Sequence, residues 1–201
     1  MSLNAGFPER TIFQRILTPW RIAAVLLVIF AVGEAYLAWR DRGVESALEN
    51  DPVFTTPSLD FAFSSKIAYD PLSFVGRGAQ AGLWKWTPEA LVLTENGRHF
   101  FEASGEMLVS RAVAGKRRIQ RIRTNVETGS GDRRIGFLYQ WSEVSPPGAA
   151  LLSPPPRVGE EYPGEAVMTR ESGSWKLKSL RTQDFDESLA RLKLAASGVR
   201  K

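Results

Sequence analysis

Residues 133–145 read RRIGFLYQWSEVS and alternate between large apolar or aromatic residues and other residues. The large side chains occupy every second position: Ile135, Phe137, Tyr139 and Trp141. In residues 118–126, a period of two puts Gln120, Ile122, Thr124 and Val126 on one side, and the segment ETGSGD at 127–132 separates the two stretches as a turn. Because alternation with a period of two puts one set of side chains on one face, both stretches are predicted to be strands of an antiparallel sheet.

Shorter strands are predicted on both sides of this pair. Residues 90–94 end at Glu95-Asn96-Gly97, and Asn-Gly between apolar runs indicates a hairpin. Further strands are expected at 98–103, 105–113, 165–171 and 175–182. Residues 185–196 have apolar side chains at helical spacing and predict a C-terminal helix. The expected fold class is therefore α+β, with a curved antiparallel sheet and a C-terminal helix in a domain over residues 90–201.

Two stretches of the chain have no regular period. Residues 51–89 contain scattered apolar residues and are predicted to be a connector. Residues 146–163 are rich in proline and predict an exposed loop of extended geometry that grips a partner. The candidate contact residues of this loop are Leu151, Leu152, Pro154, Pro155 and Pro156.

A transmembrane helix is predicted near the N-terminus. Residues 20–39 would rise about 30 Å as a helix, enough to cross the hydrocarbon core of a bilayer. Trp20 stands at one end and Trp39 at the other, where aromatic residues meet lipid headgroups. We assign 20–50 to this helix and its extension, and 1–19 to an amphipathic segment. A cleaved signal peptide and a buried core helix are the alternatives.

Small and ionisable residues in the predicted span bear on its partners. Four alanines fall on one helical face and would let another helix approach closely: Ala24, Ala31, Ala35 and Ala38. Glu34 is an ionisable group that could reach the interface or contact a neighbouring subunit. The excess of arginine before the span favours a cytoplasmic N-terminus. The expected location is the bacterial inner membrane, with the C-terminal domain in the periplasm.

Part of the sheet region resembles a known superfamily. The strands GFLYQWSEVS, GEAVMTRESG and SWKLKSLRT resemble the closing sheet of the NTF2-like, cystatin-like superfamily, in which a late Gly-x-Trp-Lys-hydrophobic strand is frequent. Here that strand reads Gly173-Ser174-Trp175-Lys176-Leu177, and the resemblance covers about a third of the chain. It implies a curved sheet that cradles helices. It also implies two broad uses, a pocket enzyme or binder and a non-catalytic scaffold.

The composition excludes many catalytic sites. The chain of 201 residues has a net charge of +4, no Cys and one His. It therefore lacks disulfides, Cys-ligated metals and thiolate nucleophiles. His99 lies in a predicted strand, and Tyr139 and Glu143 share a predicted strand face as a base and its partner could. A structural role is the favoured reading for all three, so neither catalytic residues nor a cofactor or metal site is predicted.

A basic cluster is the largest charge feature of the sequence. Its members are Lys116, Arg117, Arg118, Arg121, Arg123, Arg133 and Arg134. On paired strands they would form one positive patch that could meet anionic lipid headgroups or acidic protein surfaces. Residues 116–123 contain no aromatic residue, which argues against nucleic acid as a partner. A solvated strand face is the alternative reading.

The sequence favours a non-enzymatic function. The first hypothesis is a single-span accessory or scaffold subunit of a larger membrane complex, energy-transducing or secretory, whose partners are other integral membrane subunits. The alternative is a tethered pocket protein that binds a lipid or a small apolar ligand. A cavity that contains His99 or Tyr139 would favour the alternative.

Overall fold

A computed structural model describes residues 19–129 and 131–198; within the first helix, the side chains of Pro19, Arg21 and residues 37–42 fall outside this description. The predicted amphipathic helix at 9–17 also lies outside the described residues. The chain separates into two compact units, which divide between Arg42 and Gly43.

Five α-helices and nine strands are present in the described part of the chain. In chain order they are α1 Pro19–Glu49, α2 Pro52–Thr55, β1 Ala62–Ser64, α3 Phe74–Gln80, β2 Trp84–Trp86, β3 Leu91–Leu93, β4 Phe101–Ser104, β5 Met107–Ser110, β6 Gly115–Glu127, β7 Arg133–Val144, α4 Pro146–Leu151, β8 Glu161–Glu171, β9 Ser174–Arg181 and α5 Gln183–Ala196. A short 3-10 helix lies at Gly97–His99. The fold is α+β, with antiparallel sheets and a C-terminal helix.

The largest sheet has four antiparallel strands in the order β6-β7-β8-β9. Its register pairs Ile119 with Tyr139 and Phe137 with Gly164. The alternation in 133–145 predicts the inward face of β7 correctly, because Ile135, Phe137, Tyr139 and Trp141 are all buried. On β6 the register shifts between Ile119 and Arg121. Ile119 therefore points inward while Gln120 is exposed. The inward positions of β6 thus differ from the period-two set that begins at Gln120 in the sequence prediction.

Two smaller sheets precede the large one, with strand orders β1-β5-β4 and β2-β3. The hairpin expected at Asn96-Gly97 does not form, because β3 pairs back with β2 through Trp84 and Leu93. Gly97 instead lies against the preceding chain, where a Cβ atom would come within 1.7 Å of the carbonyl oxygen of Leu83. Glycine is needed there for close approach of two backbone segments.

The interior of the unit from Gly43 onward contains residues from nearly all of its elements. The end of α1 contributes Val44 and Leu48, α2 contributes Phe54, and α5 contributes Phe185 and Leu192. Arg77 on α3 donates to the last carbonyl oxygens of α4, at Ala150 (2.9 Å) and Leu151 (3.1 Å). The connector predicted at 51–89 thus carries two helices and two short strands that build the core.

The prediction of a transmembrane helix is wrong. Over the described residues, no helix is long and apolar enough to cross a membrane. The stretch without a charged residue, 22–33, has only twelve residues. Twelve residues rise about 18 Å as a helix, less than the roughly 30 Å of a bilayer core, and Glu34 follows directly. The structure therefore does not support a single-pass protein of the inner membrane.

Candidate functional site

Arg117 is buried although its sequence neighbours are exposed. It lies near the start of β6, where the register shifts between Lys116 and Arg117, and its side chain is 4% exposed. Four aromatic rings surround the guanidinium carbon at 5.1–5.3 Å from their centroids: Phe54, Tyr139, Trp141 and Phe185. The sequence placed Arg117 in a surface patch, but the structure puts it inside a cage of aromatic side chains.

The hydrogen-bond partners of Arg117 are neutral groups from distant parts of the chain. Nε donates to the carbonyl oxygen of Phe54 (2.7 Å), and Nη2 donates to that of Val53 (3.2 Å). Nη1 donates to Oγ1 of Thr182 (3.1 Å). Oγ1 of Thr182 in turn donates to Oδ1 of Asp186 (3.3 Å). Burial lowers the pKa of Arg117 from its ordinary value, and the neighbouring Tyr139 and the charge of Asp186 oppose this effect.

Tyr139 lies beside Arg117 with a buried hydroxyl group. Its side chain is fully buried, and no group in the described part of the chain forms a hydrogen bond with its hydroxyl. The ring stacks on Tyr162 at 5.7 Å and meets the edge of Trp141 at 6.4 Å. Burial raises the pKa of Tyr139, and the positive charge of Arg117 opposes this effect. Tyr139 is therefore uncharged at neutral pH, and its hydroxyl is closed off from solvent.

A cleft of about 360 Å³ opens over Tyr139. Its walls are aromatic and proline side chains: Tyr139, Trp141, Tyr162, Phe185, Pro154, Pro155 and Pro156. Its remaining lining residues are Leu152, Arg157, Glu160, Glu161, Asp184 and Ser188. A second cleft, of about 410 Å³, is lined by Arg117, Thr182 and Asp186 among others, and Phe185 lines both clefts.

The proline-rich segment is held in place as one wall of the first cleft. Val158 forms a parallel bridge with Trp141, and the backbone N–H of Gly159 donates to the carbonyl oxygen of Trp141 (3.1 Å). The backbone N–H of Arg157 donates to the hydroxyl of Tyr162 (3.1 Å). On the other side, Oγ of Ser188 on α5 donates to the carbonyl oxygen of Ser153 (3.3 Å). The segment thus connects β7 to α5 across the cleft.

The other residues of the predicted proline-rich contact loop are not all exposed. Leu151 and Leu152 are each 1% exposed and belong to the core. Residues 146–151 form α4, which begins because Oγ of Ser145 accepts from the backbone N–H of Gly148 (3.0 Å) and Pro146 fits the first turn. Pro154, Pro155 and Pro156 therefore remain as the members of this set that line a cleft.

The other members of the basic cluster mostly face carboxylates. Three exposed ion pairs cross between strands of the large sheet: Lys116 with Glu143 (2.7 Å), Arg121 with Glu161 (3.6 Å) and Arg134 with Glu165 (3.3 Å). Arg133 donates to Oδ1 of Asn125 (2.9 Å) and lies over the ring of Trp175 (5.5 Å). Arg118 and Arg123 are exposed. Three exposed members of the cluster are thus paired with carboxylates, and one arginine, Arg117, lies in the interior.

Predicted residues of the first helix are exposed in the described part of α1. Trp20 is 68% exposed, and Ala24, Ala31, Glu34 and Ala35 are exposed as well. The side chains of Ala38 and Trp39 lie outside the described part. Large apolar side chains of α1, such as Leu27 and Phe30, are 69% and 68% exposed.

The weaker catalytic candidates are not brought together. His99 is exposed at the end of the 3-10 helix and does not line the cleft. Glu143 is exposed and pairs with Lys116, whereas Tyr139 points into the core. No group of three His, Asp or Glu side chains in the part of the chain that the structure describes could hold a metal ion. Sequence reasoning missed Tyr162, Thr182 and Phe185, which lie far from Tyr139 along the chain.

Comparison with known proteins adds no relative. No family model, no curated protein and no solved structure matches this chain significantly. The resemblance to the NTF2-like superfamily therefore stays a prediction.

Proposed function

We propose that the unit from Gly43 onward is a non-catalytic binding domain that takes a small, mostly apolar molecule into the cleft over Tyr139. The observation that carries this proposal is the cleft itself, whose walls combine four aromatic side chains with three prolines that hydrogen bonds hold in place.

The walls of the cleft support an apolar occupant. Four aromatic side chains and three prolines line a space of about 360 Å³, within the size range of small-molecule pockets, roughly 300–1,000 Å³. Proline and aromatic side chains lose little conformational freedom when a ligand binds, so a site made from them is largely preformed. The hydrogen bonds of Gly159 and Ser188 hold the proline wall in place before binding.

Binding of 8-anilinonaphthalene-1-sulfonate to the purified full-length chain tests the proposal. We expect a saturable rise in fluorescence with one site per chain. Glu161→Trp places a bulky ring at the lining of the cleft and is expected to weaken binding at least tenfold. Glu165→Trp is the matched control, because Glu165 is also an exposed β8 carboxylate in a cross-strand ion pair but does not line this cleft. If Glu161→Trp bound the dye with the same affinity as the wild type, the proposal would be overturned.

A scaffold role is the second candidate. It is favoured by the apolar side chains of α1, since a helix that is apolar on several sides is normally covered by other structure. In this role, helices of partner subunits would pack against the alanines of α1. The two candidates are compatible, because the exposed part of α1 and the cleft belong to different units of the chain.

A further inference from the structure

A groove of about 480 Å³ lies between strands of the two smaller sheets and shares no lining residue with the cleft over Tyr139. Residues 91–93 of β3 and residues 101–103 of β4 line it, together with Leu108 of β5 and the side chains of Arg98 and Arg111. Because β3 and β4 belong to different sheets, no ladder of backbone hydrogen bonds joins these two strands.

The edge of β4 that faces away from β5 carries unpaired backbone groups. The backbone N–H of Arg111 donates to the carbonyl oxygen of Phe100 (2.8 Å). Bonded and non-bonded residue pairs alternate along an antiparallel ladder, so the next residue of β4 that bonds to β5 is Glu102. The N–H and C=O groups of Phe101 and Ala103 therefore point away from β5. Over the described residues, β4 has no other strand beside it to take them.

The edge of β3 that faces away from β2 is also incompletely paired. The N–H of Thr94 donates to the carbonyl oxygen of Leu83 (3.2 Å), and the same alternation directs the backbone groups of Leu91 and Leu93 away from β2. The N–H of Leu91 donates to the carbonyl oxygen of Ser65 (2.8 Å). Within the described part of the chain, the N–H and C=O of Leu93 have no backbone partner. Unpaired strand edges of this kind are the sites at which an extended segment can add.

The side chains of the groove combine an apolar lining with an excess of positive charge. Three of the lining residues are apolar and at most 3% exposed: Leu91, Phe101 and Leu108. Arg111 forms an ion pair with Glu102. Arg98 is exposed, and no carboxylate of the described residues pairs with it. The lining thus leaves one positive charge uncompensated, which favours an acidic occupant.

We infer that this groove binds an extended peptide segment of a partner protein, which adds as a strand to the edge of β4. The segment has apolar side chains at alternate positions and a carboxylate close to Arg98. Backbone hydrogen bonds provide affinity in this mode of binding, and alternate side chains provide specificity. A strand of a second folded copy already has a neighbour on its other side, where β3 lies in this groove, whereas a single segment has both sides available. This inference does not depend on the cleft over Tyr139.

Selection of a phage-displayed library of random heptapeptides against the full-length chain tests the inference. We expect the recovered peptides to share alternating apolar residues and an Asp or Glu. Ala103→Pro removes an N–H that points away from β5, which proline tolerates on an edge strand. It is expected to weaken binding of the synthesised peptides about tenfold or more in fluorescence anisotropy. An unchanged melting temperature and unchanged binding of the anilinonaphthalene dye would show that this variant is folded.

Arg98→Glu tests the charge of the groove. We expect it to weaken binding of the acidic peptides severalfold, whereas Arg118→Glu, at an exposed arginine of β6 outside the groove, should leave their affinity unchanged. Equal affinities for the two variants would overturn the acidic class of the partner.

Amide hydrogen exchange measured by NMR on the wild-type chain tests strand addition without any substitution. Saturation with peptide should slow exchange at Phe101 and Ala103 about tenfold or more, and leave the amide of Gly173, in the turn between β8 and β9, unchanged. The inference would be overturned by recovery of no peptide, by full binding to Ala103→Pro, or by unaltered exchange at both residues. Dimerisation of the chain that Ala103→Pro abolishes would assign the edge to a second copy and also overturn it.

Discussion

Phe137 on β7 lies directly over Gly164 on β8, so close that a Cβ atom at Gly164 would come within 2.5 Å of Cζ of Phe137. The two residues are paired in the register of the sheet, and Phe137 is 1% exposed. An aromatic ring over a glycine in the neighbouring strand fills the space that a side chain would otherwise occupy. Gly164 is therefore required by packing, and its backbone conformation is not in the left-handed region.

Gly164→Ala is expected to lower the free energy of unfolding by about 1–3 kcal/mol, the usual cost of overpacking. The added methyl group would push the ring of Phe137 into a core that also contains Phe54, 5.5 Å away. Urea denaturation followed by tryptophan fluorescence measures the change. Gly129→Ala is the control, because a Cβ atom there meets nothing within 4 Å. Equal stability of the two variants would contradict this account of the contact.

Arg117→Met is expected to destabilise the domain by more than about 2 kcal/mol. The change keeps an unbranched side chain of similar length but leaves the carbonyl oxygens of Val53 and Phe54 and the hydroxyl of Thr182 without their donor. Arg118→Met, one residue further along the strand and exposed, should change stability by no more than about 0.5 kcal/mol. Equilibrium unfolding in urea compares the stability of the two variants. Similar losses of stability in both would mean that the hydrogen bonds of buried Arg117 contribute little to the stability of the domain.

Tyr139→Phe should leave stability at pH 7 unchanged or raise it by about 1 kcal/mol, because the deleted hydroxyl is buried without a hydrogen bond. A loss above about 1 kcal/mol would show that the hydroxyl has a partner.

The same variant gives a test against pH. Burial raises the pKa of Tyr139 in the folded state above its ordinary value of about 10. The unfolded chain therefore loses this proton first, and the stability of the wild type falls as the pH rises above about 10. Urea midpoints measured between about pH 9 and pH 11 should fall less steeply for Tyr139→Phe than for the wild type. Parallel curves would count against the burial of this group.

Replacement of Ala31 and Ala35 by Leu tests the scaffold role. Both residues are exposed on α1 in the unit that ends at Arg42. If partner helices pack on this face, the larger side chains should reduce the amount of each specific partner that copurifies with the tagged chain severalfold, as measured by quantitative mass spectrometry. Thermal unfolding of the rest of the chain should stay cooperative with an unchanged midpoint. An unaltered set of partners would argue against packing on this face.

The alternation of residues 133–145 predicted β7 and its inward face because the pattern is local and matches a single sheet surface. The C-terminal helix followed from its own periodicity for the same reason. Arg117 could not be placed from sequence, since the groups that satisfy it lie on α2 and at Thr182, more than sixty residues away on either side. The register shift at Lys116 and Arg117 also leaves no mark in the sequence pattern.

Other features that differ from the prediction have local signals in the sequence. Ser145-Pro146-Pro147 is a helix start, with a capping serine followed by proline in the first turn, but the prolines predicted a loop. Asn96-Gly97 carried a hairpin signal that the close contact with Leu83 overrode. The predicted transmembrane span is twenty residues long, but Glu34 interrupts its uncharged apolar stretch after twelve residues.

The hydrogen bonds of Arg117 also bear on how the domain folds. They join residues separated by 63, 64 and 65 positions, so they close long loops in both directions along the chain. Contacts of such high sequence separation form only after the entropy of those loops has been lost, which slows folding. A chain that is still missing its last strand and helix would hold a guanidinium without Thr182, and would have to leave it in water. Burial of Arg117 with all of its hydrogen bonds therefore has to wait until Thr182 has left the ribosome.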